Sequence, residues 1–163
     1  MLILGGIGTL SIYGNTSTVD ARHTFKEVTI DFSSPILKEK DSNYVRFVLD
    51  QEELYIMNPG KPMLPRVLET VELPFGVQNI KIEILPSGIQ EMSISKEIFP
   101  APAAIPLMPM DEYVSPPKKD EAIYNSLDLY PSSWYSYHVG CGLNSVDEHV
   151  TFVTINLYPF RYQ

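Results

Sequence analysis

His138-Val-Gly-Cys141 is the one place in the chain where a potential nucleophile and a potential base lie close together in sequence. A thiol becomes a nucleophile when a neighbouring base takes its proton or a positive field lowers its pKa, so the two side chains must reach hydrogen-bond distance. Residues three apart on a strand project to opposite faces, and contact here requires the chain to turn at Gly140. Adding His149 gives three soft or imidazole ligands, whereas a structural zinc takes four in paired spacing. The segment therefore reads as a buried cysteine and two surface histidines, with no catalytic residue and no metal ligand among them.

The acidic pairs Glu52-Glu53 and Asp147-Glu148 read as solvated strand ends or turns. A calcium loop needs alternating oxygen ligands, and the nearest approach is Ser126 followed two residues later by Asp128. There is no Gly-x-Gly-x-x-Gly and no phosphate loop, so no cofactor is expected. Tyr124, Tyr130, Trp134, Tyr135 and Tyr137 form an aromatic series that suits either a sugar-stacking platform or core and rim packing.

The elements that must carry these residues are strands. Phe25 to Phe32 alternates Val28, Ile30 and Phe32 with Glu27, Thr29 and Asp31, which is the period of a half-buried strand. Tyr44 to Asp50 repeats it with Val45, Phe47 and Leu49, and Glu53 to Met57 follows after a minimal turn, predicting a hairpin. Arg66 to Leu73, Val77 to Leu85 and Ile89 to Ser95 continue the series, separated by Pro74-Phe75-Gly76 and Pro86-Ser87-Gly88. Trp134 to Val139 and the β-branched, aromatic run Val150 to Tyr158 complete it. No stretch has the pattern of a long amphipathic helix.

Eleven of the 14 prolines fall between Pro59 and Pro117, and each removes a backbone donor, so this half must be strands joined by extended loops. In Asn58 to Val67, NPGKPMLPRV, Pro62 and Pro65 fix φ and hold the connection extended while Met63 and Leu64 can pin it to a core. Phe99 to Lys119 contains Ile105, Leu107, Met108 and Met110, too apolar for a solvated spacer, and reads as a loop laid across the domain. The expected fold is all-β, an antiparallel β-sandwich with long Pro-rich loops.

The 163 residues suffice for one domain with a real core. A formal charge of -8 opposes phosphate backbones and anionic lipid surfaces, so nucleic acid and membrane are not expected partners. Residues 1–21 open with an uncharged apolar run and close on Val19-Asp20-Ala21, a small-residue cleavage site. This reads as a secretory leader that places the protein outside the cell or at its surface; the alternative is a buried first strand. A single cysteine leaves the redox compartment open.

Gly60 to Pro65 before an alternating strand, Glu72 to Gly76 before another, Pro100-Ala-Pro102, Leu129-Tyr-Pro131 and Val153 to Tyr162 occur in an order that resembles the prodomain of gingipain-type cysteine peptidases, family C25. The similarity spans roughly residues 25 to 163, with 22–163 as the prodomain. It departs from the family near Leu143 to His149, where an arginine-glycine pair is missing.

The resemblance implies a non-catalytic propeptide that covers the active-site cleft of a caspase-like catalytic domain in cis, assists its folding and is removed on activation. The catalytic domain would lie outside these 163 residues. In relatives with basic specificity, a basic prodomain side chain enters the enzyme's specificity pocket. Lys118 and Lys119, after Pro116-Pro117, are the candidates here, against a simpler role in solubilising an exposed loop. The rival reading is a secreted β-sandwich adhesion or carbohydrate-binding module using the rings around Trp134.

Overall fold

The computed structural model of the chain describes residues 2–4, 7–16, 23–50, 54–104 and 116–163. The strands are β1 (Leu2–Leu4), β2 (Ile7–Thr16), β3 (His23–Asp31), β4 (Ile36–Glu39), β5 (Tyr44–Val48), β6 (Leu54–Tyr55) and β7 (Pro65–Pro74). They continue as β8 (Val77–Pro86), β9 (Gln90–Met92), β10 (Glu97–Ile98), β11 (Tyr135–Leu143), β12 (His149–Leu157) and β13 (Phe160–Tyr162), with a short helix, α1 (Glu121–Tyr124), between β10 and β11. The protein is all-β, as the alternating patterns require.

Among the described residues the strands form four sheets, ordered β11-β12-β7-β6, β3-β2-β8, β13-β1-β9 and β10-β5-β4. Among the described residues, each pairing is antiparallel except that of β10 with β5. β7 runs the length of β12, from Val67 opposite Leu157 to Pro74 opposite Val150. At Phe75-Gly76 the chain then leaves that sheet, because β8 pairs with β2.

This crossover brings two sheets to one apolar cluster. Val71 and Leu73 from β7 and Val153, Ile155 and Leu157 from β12 meet Ile12 from β2 and Val77 and Ile82 from β8. On β12 the alternation is strict, with every odd residue from Thr151 to Leu157 buried. β8 changes parity midway: Val77 faces inward, and so do Ile80, Ile82 and Ile84. The pairing with β2 shifts register between Tyr13 and Asn15, opposite Asn79, whose φ is +53°. An extra residue in one strand moves every later side chain to the other face, and asparagine tolerates the left-handed backbone well.

A second cluster gathers Phe47 and Leu49, Leu64 of the proline-rich connection, Ile98, Tyr124 of α1, and Phe160 and Tyr162 of β13. Pro62, Pro65 and Pro100 are fully buried beside it, so the stiff connection lies within the packed body of the protein. Val67 borders both clusters.

Two expectations are corrected. Leu54–Tyr55 pairs with β7, not with β5, because the proline connection folds the chain back onto Pro65 and Arg66. β5 instead takes β4 and β10 as its neighbours. Cys141 is exposed rather than buried, since β11 is an edge strand. Within residues 1–21, β1 inserts between β13 and β9 and β2 between β3 and β8, with Ile12 fully buried. Ile105, Leu107, Met108 and Met110, and Glu52-Glu53, lie outside the described residues.

Candidate inhibitory segment and its supports

Pro116 to Asp120 is anchored by its backbone. The Asp120 amide donates to the Gly60 carbonyl at 2.8 Å, the Gly60 amide to the Ala101 carbonyl at 2.8 Å, and the Ala101 amide to the Lys61 carbonyl at 2.8 Å. Met63 continues this ladder by donating to the Phe99 carbonyl. Gly60 has φ +77°, and a β-carbon there would stand 2.9 Å from the Lys118 carbonyl oxygen. A side chain would meet both a strained backbone and the main chain of the lysine segment, so this position calls for glycine.

Helix α1 fixes the other end. Asp120 caps it, its carboxylate accepting from the Ala122 amide at 3.1 Å. One turn later Tyr124 is buried and donates its hydroxyl to the Ile98 carbonyl at 2.7 Å. Burial pushes the Tyr124 phenol far above its usual pKa, and burial likewise raises Tyr162, whose ring packs 5.6 Å from it.

The two candidate lysines are placed differently. Lys119 ion-pairs with Glu97, at 2.8 and 3.1 Å to its two oxygens, approaches Glu121 at 3.4 Å and sits 5.6 Å from the Tyr124 ring centre. The hydrogen bond to Glu97 is the main reason its ammonium pKa is raised. Lys118 is exposed and forms no hydrogen bond or ion pair with the described residues. Beside Lys119 opens a polar groove of about 420 Å³ lined by Ser42, Asn43, Tyr44, Ser95, Lys96 and Glu97. Sequence spacing could not join Glu97 to Lys119. The one legible signal was Asp120-Glu121, an N-cap with an acidic first turn.

His138 and Cys141 do not meet. β11 is continuous through Gly140, with His138 opposite Thr154 and Cys141 opposite Thr151, and these pairs lie on opposite faces. Cys141 Sγ lies 3.8 Å from Thr151 Oγ1. His149 packs instead near the Phe75 ring, at 5.4 Å. Among the described residues no three His, Cys, Asp or Glu side chains gather as metal ligands, and no helix is long and apolar enough to cross a membrane.

The five rings of the aromatic series are divided. Tyr124 is core, whereas Tyr130 accepts a hydrogen bond from the Asn58 amide. Trp134 lies 5.1 Å under the Arg161 guanidinium, which also donates to the Pro131 and Ser132 carbonyls. Tyr135 donates to the Ile82 carbonyl and stacks with the half-exposed Tyr137. Asp147 and Glu148 occupy the exposed turn between β11 and β12, held by the Asn144 side chain, which accepts from the Val146 and Glu148 amides.

Compared with protein-family models, curated proteins and solved structures, the chain matches none.

Proposed function

We propose that this chain is the propeptide of a secreted gingipain-type cysteine endopeptidase, acting as a zymogen inhibitor and folding assistant by covering the active-site cleft. The observation that carries this reading is the contrast between the two lysines. Lys119 is committed to Glu97, while the neighbouring Lys118 stands exposed on a backbone clamped to Gly60. A side chain offered from a fixed base loses less freedom on insertion than one on a loose loop, and its ammonium complements a carboxylate at the bottom of a specificity pocket. Tethering adds to this, since a linked inhibitor meets its target at about millimolar effective concentration, an advantage that cleavage removes.

The purified chain added to a C25 peptidase of basic specificity is expected to inhibit it. Lys118→Ala should raise the inhibition constant about 10- to 100-fold, the loss expected for one charge-assisted hydrogen bond of about 1.5–3 kcal/mol. Lys119→Ala should change it far less, because that side chain already has a carboxylate partner. Equal inhibition by Lys118→Ala and the parent chain rejects the lysine role; absence of inhibition by any version rejects the propeptide reading.

A further inference from the structure

Several cations of this chain find an acceptor within the fold. Lys119 pairs with Glu97, Lys96 with Glu39 and Lys81 with Glu83, and the Arg161 guanidinium donates to two backbone carbonyls. Arg66 departs from this. Its Nη1 donates to the Asn156 side-chain oxygen at 2.6 Å, whereas Nη2 has no acceptor among the described residues and Nε is buried without one. A guanidinium presents its donors in one planar fork, and a buried donor left unmet costs free energy. The base of the side chain is fixed, because Arg66 follows the fully buried Pro65 and pairs across to Leu54 of β6.

Arg66 lines a cleft of about 250 Å³ with Tyr55, Ile56, Met57, Asn58 and Tyr158. Bonds to neighbouring residues hold these walls in place. Tyr55 donates its hydroxyl to the Phe47 carbonyl at 3.0 Å, and the Arg46 guanidinium lies 4.4 Å from its ring centre. The Tyr158 hydroxyl is 2.7 Å from Ser136 Oγ, and the Asn58 side-chain nitrogen donates to the Tyr130 hydroxyl at 3.1 Å. Both phenols are thus engaged. What stays open is a set of guanidinium donors on Arg66 and the side-chain oxygen of Asn58, which accepts no hydrogen bond among the described residues.

We propose that this cleft is a binding site for a sugar acid, a hexuronate, whose carboxylate sits on the Arg66 guanidinium while a neighbouring ring hydroxyl donates to Asn58 Oδ1. Each part of the ligand answers a group on the wall. The planar fork of arginine matches the two oxygens of a carboxylate, and one cation in the cleft suits a singly charged ligand better than a phosphate. The open Asn58 oxygen asks for a donor beside that carboxylate, which a fatty acid lacks and a hydroxylated ring has. Tyrosine rings present flat apolar faces to the C–H face of a pyranose, with Ile56 and Met57 completing the apolar side. The cleft is smaller than the roughly 300–1,000 Å³ of sites for drug-sized ligands, so it takes one sugar unit. The groove beside Lys119 is unlike it, since Lys96 and Lys119 there already hold carboxylates. Nor does it use Trp134, whose ring has the Arg161 guanidinium over it. The site stands apart from the inhibitor reading and can fail without it.

D-glucuronate titrated into the full chain is expected to shift the amide NMR signals of Asn58, Arg66 and Tyr158 in a saturable way, and D-glucose, which lacks the carboxylate, should leave them in place. Arg66→Gln should weaken glucuronate binding about 10- to 100-fold, the loss of a charge-assisted hydrogen bond. Met57→Glu tests the same point without touching the packed body, because Met57 is exposed at the rim of the cleft and a carboxylate there should repel the ligand and weaken it at least severalfold. It decides the matter if Arg66→Gln does not fold. No shift with glucuronate at these amides overturns the proposal, and so does unchanged binding by Met57→Glu or by a folded Arg66→Gln. N-acetylglycine binding as tightly as glucuronate would overturn the sugar assignment, since the cleft would then be reading a carboxylate alone.

Discussion

The two apolar clusters are built on different principles. The cluster between β2, β7, β8 and β12 consists of isoleucine, valine and leucine, all presented by strands whose alternation places them. The cluster around the proline connection is aromatic, with Phe47 stacked on Phe160 at 5.2 Å, and its members come from strands, a four-residue helix and an extended segment. The first tolerates small losses because neighbouring aliphatic groups can shift along a regular surface. The second joins chain-distant pieces through single large rings and one buried hydroxyl, so each member supports several elements at once. It also underlies the lysine segment, since Tyr124 ties α1 to Ile98.

That contrast is open to direct attack. Phe160→Ala empties a fully buried site in the aromatic cluster and should lower unfolding stability by about 3–5 kcal/mol, read as a shift in the urea midpoint. If the loss were under about 1 kcal/mol, the cluster would be far looser than its burial indicates.

Next in size is Tyr124→Phe, which leaves the Ile98 carbonyl without its donor at a cost of about 1–3 kcal/mol. This variant also has a pH signature. Burial raises the Tyr124 phenol pKa above its unfolded value, so the fold favours the protonated form. Its contribution is fully present below about pH 10, the ordinary tyrosine value, and is lost as pH rises above it. The parent chain should therefore lose stability in alkali more steeply than Tyr124→Phe, in paired denaturant titrations at about pH 8 and pH 11. Tyr162, shifted in the same direction, will leave a residual slope in the variant.

The smallest effect belongs to the aliphatic cluster. Ile155→Val, also at a fully buried site, should cost about 0.5–1.5 kcal/mol, with the denaturant slope unchanged. A loss as large as that of Phe160→Ala would erase the distinction between the two regions.

How much of this was legible in sequence follows the same division. Val71, Leu73, Val153, Ile155 and Leu157 announce their inward face by alternation alone, and the turns at Gly76 and Gly88, both at positive φ, are marked by residue type. The parity change of β8 is visible afterwards as Val77, Ile80, Ile82, Ile84, with the break at Asn79. The aromatic cluster is periodic only in part: Phe47 and Leu49 follow the alternation of their strand, whereas Leu64, Ile98 and Tyr124 come from segments with no such repeat. Tyr124 sits in no repeating pattern, the alternation of Phe160 with Tyr162 spans only three residues, and the hairpin expected between Tyr44–Asp50 and Glu53–Met57 gave way to a pairing of β6 with β7.

By itself, the sequence determined the all-β class, the stiffness of the proline-braced connections and the acidic surface, because backbone restriction, side-chain period and charge are properties of neighbouring residues. Tertiary structure alone decided which strands pair, that Lys119 finds Glu97 while Lys118 does not, and that β11 is left at an edge. The reason is physical: any strand offers the same amides and carbonyls to any other. The choice among partners falls to apolar burial between residues far apart in the chain, which no local pattern records.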